Sequence, residues 1–472
     1  MASEGINDGA VDHRGDALPV LSKSATKMKM DKLLSTPLPQ YGGSTPGSFF
    51  WTHAAWWIAR RVRAAQFRTR EVTGRETLPD DRGNLCCSWH TNGLIDPLAI
   101  ALNHKKFFVL GGRHDLVTRP LLSWWTRRMA VQPVVRKAEL LRGGCSEEEA
   151  TQINGRSLLM LATGIAEGFG CVLFPEGTSH SDSSMLRFRT GPMRTVLAAG
   201  AIAKSKGQTL PAVIPIGLHF RKRELFRTDE WVEYGAPLQL LDEDIPDELV
   251  EAVKGGQWSE PPAEKVTALR DKLRLELVPM TPNTSDWSEY DALHLMGHVE
   301  ARRANQPLAS WREEVLAARA LRDALQPSDM SLMETEVPAI EHPVLPPAKA
   351  AAQLLSERGL DGRDLNADGT DLRMFNPAKT IASLARLPVA LLLLPVVLQN
   401  GVARRAIATA ACRHRQEGVE HALPGVRVRL PRRGQRERGA AAEEDEGDRG
   451  APHVRCAPAP ARRVCVAGSC LI

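Results

Sequence analysis

Between residues 70 and 240, short apolar runs alternate with longer stretches whose apolar positions recur at helical spacing. The short runs are Asn84–Ser88, Phe107–Leu110, Val131–Val135, Gly170–Phe174 and Ala212–Leu218. Runs of that length, bounded by turn residues, predict strands buried on both faces. Pro97–Leu102, Pro120–Met129, Glu147–Glu167 and Gly191–Lys204 read as the helices between them. Strands spaced by helices predict an α/β domain over residues 70–240, with a mostly parallel sheet flanked by helices.

The flanks have other patterns. Residues 1–45 are polar and rich in Gly, Ser, Pro and Lys, which predicts a disordered lead-in. Residues 46–69 run from Phe49, Phe50, Trp56, Trp57 and Ile58 into Arg60, Arg61, Arg63 and Arg68. That order predicts a membrane-interfacial helix; the other reading is an amphipathic helix packed on the domain itself. Residues 241–378 are charged, interrupted by Pro and mostly helical in pattern, a helical C-terminal extension. Residues 379–412 hold the most apolar run, broken by Arg386, Pro388 and Pro395. Its longest part, Leu387–Leu398, is shorter than the roughly 20 residues a spanning helix needs. It reads as a re-entrant or interfacial segment, or as a buried core helix. Residues 413–472 lose all periodicity and carry an acidic run, Glu443–Asp448, as in a disordered tail.

Composition adds bounds. Lys and Arg number 61 against 56 Asp and Glu, a net charge of +5. That is too small an excess over this length to argue for nucleic acid. Ten Trp stand against three Tyr, with Trp51, Trp56, Trp57, Trp124 and Trp125 in the first third. Such clusters suit a boundary between water and an apolar phase. The eight Cys, among them adjacent Cys86 and Cys87, show no metal spacing and suggest a reducing compartment. The first forty residues lack the apolar core of a signal peptide. His294 and His298, four apart with no third ligand at recognisable spacing, read as helix-surface histidines. Asp364-Leu-Asn366 imitates a calcium loop, but its twelfth position would be Phe375 rather than Glu.

Two segments carry chemistry. His90-Thr-Asn-Gly-Leu-Ile-Asp96-Pro97 sets a histidine six positions from a carboxylate, across a turn that Asn92 and Gly93 favour. A hydroxyl must lose its proton as it attacks, and histidine, with an ordinary pKa near 6.5, suits that task. A carboxylate on the other ring nitrogen fixes the tautomer and stabilises the imidazolium. The second segment, Phe174-Pro-Glu-Gly-Thr-Ser179, follows a predicted strand. Glu176 offers a ligand for substrate hydroxyls, Gly177 lets a ligand approach the backbone, and Thr178 and Ser179 offer hydroxyl donors. Arg136, Arg187, Arg189 and Arg194 are candidate phosphate ligands.

Four blocks in this order resemble the phospholipid/glycerol acyltransferase superfamily, over roughly residues 65–240. His90–Asp96 is similar to its first block and Pro133-Val-Val-Arg136 to its second. Phe174–Thr178, with Phe188-Arg189-Thr190-Gly191, is similar to the third. Val213-Ile-Pro-Ile-Gly217 is similar to the fourth. The family's usual first block is His-x4-Asp, whereas this chain has His-x5-Asp. That longer spacing resembles the yeast-type glycerol-3-phosphate/dihydroxyacetone-phosphate acyltransferases, as does Pro282-Asn-Thr-Ser-Asp286-Trp further on.

The resemblance implies an α/β acyltransferase that moves a fatty acyl chain from acyl-CoA to the sn-1 hydroxyl of glycerol 3-phosphate or to dihydroxyacetone phosphate. It implies His90 as base and Asp96 as its partner. Asn92, Arg136, Glu176, Gly177, Thr178, Ser179 and Arg189 would bind substrate. No metal and no cofactor beyond the acyl-CoA co-substrate is expected. Membrane lipids are expected partners and nucleic acid is not. The yeast-type members imply the endoplasmic reticulum membrane, with the site facing the cytosol. Two other readings stand beside this one: a lysophosphatidic acid acceptor, and a catalytically silent lipid-binding scaffold suggested by the His-x5-Asp spacing.

Overall fold

The computed structural model describes residues 28–120, 122–135, 139–140, 144–222, 225–326, 333, 335–367 and 369, and the backbone of a strand pair, Gly5–Ile6 with Leu21–Ser22. The chain divides near residue 373 into two units, and the second, Met374–Ile472, lies outside the described residues. The apolar segment expected at 379–412 and the tail at 413–472 therefore lie outside them too.

In chain order the elements are α1 (Met30–Leu34), α2 (Phe49–Gln66), β1 (Phe67–Thr73), β2 (Asn84–Ser88), α3 (Ile95–Asn103), β3 (Phe108–Val109), β4 (Gly111–Arg113), α4 (Leu122–Arg128), β5 (Gln132–Val134), α5 (Glu147–Ala166) and β6 (Gly170–Val172). There follow α6 (Gly191–Ser205), β7 (Ala212–Phe220), β8 (Thr228–Tyr234), β9 (Leu238–Gln239), α7 (Asp247–Lys254), α8 (Ala263–Leu277), α9 (Trp287–Arg303), α10 (Trp311–Leu325) and α11 (Leu345–Glu357).

The main sheet runs β1-β8-β7-β2-β6-β3, with β9 also paired to β7. Strands β7, β2, β6 and β3 are mutually parallel, and β8 joins β7 antiparallel. All five residues of β2 are buried. Successive strand residues face opposite sides, so both faces of the sheet are covered. Helix α6 packs on β2, while α3 and α5 pack on β6. Pro215 sits in β7 between Val213, which pairs with β9, and Ile216, which pairs with β8, a seam where a missing N–H is tolerated. Helix α5 opens with a capping box, Ser146 accepting from the Glu149 N–H at 3.1 Å and Glu149 from the Ser146 N–H at 2.9 Å.

Four expectations change. The strand predicted at Val131–Val135 leaves the main sheet, because β5 pairs with β4 in a separate two-stranded sheet. Strands β1 and β8 carry no continuous apolar signal. In β8, Asp229 and Glu230 are buried and held by Arg68 and Arg63, remote in sequence, and by Arg221 across the hairpin. Residues 28–45 do not form part of a disordered lead-in. Leu33 is fully buried among Val117, Val131, Val135, Ala150 and Ile153, and Arg127 and Arg156 donate to the carbonyls of Lys32 and Thr36. Leu33 is the one leucine of this stretch that is fully buried, too little to register as periodicity. Finally, His294 and His298 are not surface histidines. His298 Nε2 lies 3.1 Å from Glu314, and His294 stacks on Trp311.

Helix α2 has two faces. Trp56 is buried against Phe107, and Arg63 pairs with Glu230, whereas Phe49, Phe50, Trp57, Ile58 and Val62 are exposed. Helices α9, α10 and α11 form an annex with their own core of Ala292, Leu293, Ala318, Ile340 and Leu345. Trp311 fastens the annex to the sheet, packing on Trp231 and donating its indole N–H to the His219 carbonyl at 3.1 Å. Among the described residues, no helix is long and apolar enough to cross a membrane.

Candidate active site

Strands β2 and β6 are parallel and in register, Cys86 opposite Val172. The segments that follow them therefore leave the sheet side by side, at the carboxyl ends where open α/β sheets bind ligands. His90 lies two residues past β2, and Glu176 four past β6.

His90 Nδ1 is 3.1 Å from Asp96 Oδ2. The same oxygen accepts the backbone N–H groups of Thr91 and Asn92, each at 2.7 Å. Asn92 builds the turn: its Oδ1 accepts from the N–H groups of Leu94 (3.1 Å) and Ile95 (3.0 Å), opening α3. Asp96 sits in the first turn of α3 and has no exposed surface. Backbone dipoles, at a helix start, thus stabilise its charge without a counter-ion of their own. The five intervening residues close without breaking the pair. With Nδ1 turned to Asp96, Nε2 is the nitrogen left to face a substrate. The imidazole stacks on Phe174 at 3.8 Å between centroids and keeps 13% of its side chain exposed.

Glu176 is 3% exposed, and its contacts are internal. Oε1 accepts from the His90 N–H at 2.7 Å, and Oε2 from the Leu186 N–H at 2.7 Å. His180 Nε2 lies 2.7 Å from Oε2, a close electrostatic contact rather than a linear hydrogen bond. The Asp182 N–H points at His180 Nδ1 (3.2 Å), which leaves the His180 proton on Nε2, toward Glu176. The His180 N–H meanwhile donates to the His90 carbonyl at 3.0 Å. The turn after β6 therefore grips both backbone polar groups of His90. The sequence reading made Glu176 a ligand for substrate hydroxyls; in the structure both of its oxygens accept N–H groups of the protein itself. Asn92, expected to bind substrate, likewise spends its side-chain oxygen on the turn. Sequence reasoning missed His180, though its place four residues after Glu176 in a turn was the signal available.

Gly177 has φ +73°, in the left-handed region that favours glycine. A Cβ there would meet Arg189 Cγ at 3.2 Å, so Arg189 crosses this turn closely, its N–H donating to the Pro175 carbonyl. Thr178 is half-buried and Ser179 exposed on the same turn. The fold thus gathers His90, Asp96, Glu176, Gly177, Thr178, Ser179 and Arg189 at one end of the sheet. Arg136 lies outside the described residues; Val135 before it is tied to Asn154 through both backbone groups. Cys86, Cys87 and Cys171 sit within the sheet, where burial pushes their thiols up, Cys171 to about 12. They are unsuited to act as nucleophiles.

Residues 69–218 match the family model described as Acyltransferase. Over 171 residues the chain is 32% identical to glycerol-3-phosphate O-acyltransferase 2 of Saccharomyces cerevisiae, a match over 36% of this chain and 21% of the yeast protein. The chain thus spans about a fifth of that relative's length. The crystal structure of the 1-acyl-sn-glycerophosphate (LPA) acyltransferase PlsC from Thermotoga maritima aligns over 46% of this chain and 79% of its own, with 17% identity and a TM-score of 0.31.

Proposed function

We propose, on the premise that residues 69–218 form an acyltransferase-family domain, that this protein transfers a fatty acyl group from acyl-CoA to the sn-1 hydroxyl of glycerol 3-phosphate or to dihydroxyacetone phosphate. One observation carries the reading: His90 is held by a buried carboxylate whose other hydrogen-bond donors, among the described residues, are backbone N–H groups, and its Nε2 is left at the end of the sheet. The name of the yeast relative supports glycerol 3-phosphate as acceptor.

In this reading the acceptor oxygen attacks the thioester carbonyl while His90 Nε2 takes its proton. The tetrahedral intermediate collapses with cleavage of the C–S bond, and the proton passes from the imidazolium to the departing thiolate. Asp96 stabilises the imidazolium between the two transfers. Direct transfer forms no covalent enzyme intermediate and draws on no metal and no cofactor beyond the co-substrate. Thr178, Ser179, Arg189 and Arg136 are proposed acceptor ligands. The exposed aromatic face of α2 supports work on a lipid surface, and the sequence resemblance supports the endoplasmic reticulum with the site facing the cytosol.

Labelled acyl-CoA offered with a panel of acceptors tests the proposal. Transfer to glycerol 3-phosphate that disappears in His90→Ala is the expected result. Transfer to lysophosphatidic acid alone would reassign the acceptor. Lack of transfer to any acceptor by folded protein would favour a lipid-binding scaffold.

A further inference from the structure

Pro282-Asn-Thr-Ser-Asp286 leads into α9, and Trp287 opens that helix, beyond the 69–218 family match. The backbone of this segment is pinned from α10 and the residue after it. Buried Arg322 donates to the carbonyls of Thr281 at 2.6 Å and Pro282 at 3.1 Å, and Gln326 donates to that of Asn283 at 2.9 Å. Asn283 is buried and takes φ +46°, a left-handed conformation that asparagine tolerates better than most residues. A stretch fixed this tightly can hold a less regular one in place.

What it holds is the loop that follows the Glu176 turn. Residues 179–190 lie in neither helix nor strand, so their backbone groups need partners elsewhere. The Trp287 indole N–H donates to the Ser181 carbonyl at 2.6 Å. Ser183 Oγ donates to the Thr284 carbonyl at 2.8 Å, and the Thr284 N–H returns to the Ser183 carbonyl at 3.4 Å. Ser183 and Thr284 are both buried. These bonds fall between His180 and Leu186, the two loop residues that meet Glu176. Glu176 Oε1 accepts the His90 N–H, and the His180 N–H donates to the His90 carbonyl. The contacts form a clamp on His90 whose outer end is the annex. Trp287 also lies 6.4 Å from the ring of Trp89, the residue before His90.

We propose that Trp287, Thr284 and Ser183 are positioning residues for the base: they fix the loop at 180–186, so that Glu176 and His180 keep the His90 backbone in place. The inference rests on the acyl-transfer reading of the His90 site. It makes the matched domain depend on a segment outside it for the geometry of its site. A merely structural role would be to fasten the annex, a task Trp311 already performs.

Kinetics of the full chain separate the two roles. Trp287→Phe keeps a ring and removes the N–H, and Ser183→Ala removes the hydroxyl. Each should lower kcat about fivefold, the value of roughly one neutral hydrogen bond, and leave both KM values nearly unchanged. In a Glu176→Gln background the same substitutions should cost less than about twofold, because the path through Glu176 is already broken. An undiminished loss in that background, or unchanged kcat in the single variants, would overturn the proposal while leaving acyl transfer standing. Amide hydrogen exchange tests the coupling without reference to catalysis. Peptides spanning 89–92 and 180–186 should exchange about fivefold faster in Trp287→Phe, with peptides spanning 212–218 unchanged. Unchanged exchange at 89–92 would overturn the proposal whether or not the protein transfers an acyl group. Faster exchange there in a protein that transfers none would uphold the clamp and remove the enzymatic reading.

Discussion

His90 with Asp96 and His298 with Glu314 are both histidine–carboxylate pairs at 3.1 Å, one at the end of the sheet and one in the helical annex. What surrounds them differs. Glu314 also takes the Arg221 guanidinium, and His298 is buried. Burial pushes Glu314 up, but hydrogen bonds from His298 and Arg221 outweigh it and leave the carboxyl below its ordinary range. A third pair, His219 with Glu233, repeats the annex pattern. Burial raises Glu233, hydrogen bonds from His219 and Arg319 outweigh it, and the carboxyl settles at about 2. At Asp96, by contrast, backbone N–H groups take the place of arginine, and His90 keeps an open nitrogen. A carboxylate already neutralised by a guanidinium has little left to give a developing imidazolium, whereas one held by amide dipoles keeps its charge for the histidine. Distance alone does not mark a catalytic pair; the second partner and the open edge do.

The largest expected effect breaks the symmetry of the pairs. His90→Ala should lower kcat for acyl transfer by about 10³-fold, within the usual range for a general base, while His298→Gln should leave it within a factor of two. Equal losses from both would show that the distinction drawn between them is empty. Next comes stability. Glu314→Ala leaves His298 without its carboxylate and Arg221 with Asp229 alone, in a buried setting, and should cost about 3–5 kcal/mol in urea unfolding. A cost below about 1 kcal/mol would mean the annex pair is as dispensable as a surface one.

A fourth histidine, His104, bonded to no carboxylate among the described residues, serves as a reference. Burial pushes His104 down to about 4, and its Nδ1 accepts the Lys106 N–H. The folded protein therefore binds this proton less readily than the unfolded chain does. Its contribution is complete above about pH 6.5 and is lost as pH falls toward 4, about 3 kcal/mol in all. Urea unfolding at pH 7 and pH 4.5 should show the drop, and His104→Gln should flatten it; an equal slope in the variant would refute the assignment. The smallest effect concerns the clamp. Glu176→Gln turns an amide N–H₂ toward the N–H of His90 or Leu186, and kcat should fall about tenfold, the value of roughly one hydrogen bond to a charged group, with little change in KM. An equal rise in KM with kcat intact would return Glu176 to the role of substrate ligand.

Legibility followed the range of the interactions. Strands β2, β6 and β7 and helices α3, α5 and α6 announce themselves because each buries its own contiguous apolar residues. The His90–Asp96 pair was readable for the same reason: its members, its turn and its capping asparagine lie within a few residues of one another. Strand β8 was missed because its buried carboxylates, Asp229 and Glu230, depend on Arg63, Arg68 and Arg221, and β1 because only Phe67 of its seven residues is buried. Residues 28–45 were misread because Leu33 becomes core only against α5 and the strand at 132–134.

The sequence by itself determined the α/β domain, the two chemical segments and the pairing of His90 with Asp96, all products of local pattern and short spacing. Only the tertiary structure decided what Glu176 does. It reaches back 86 positions to the His90 N–H, and no local pattern reports whether a carboxylate in a turn after a strand will face solvent or the protein's own backbone. It also decided that Trp287 and Thr284 meet the loop beside that turn, because partners so far apart in the chain come together only once the helices are packed.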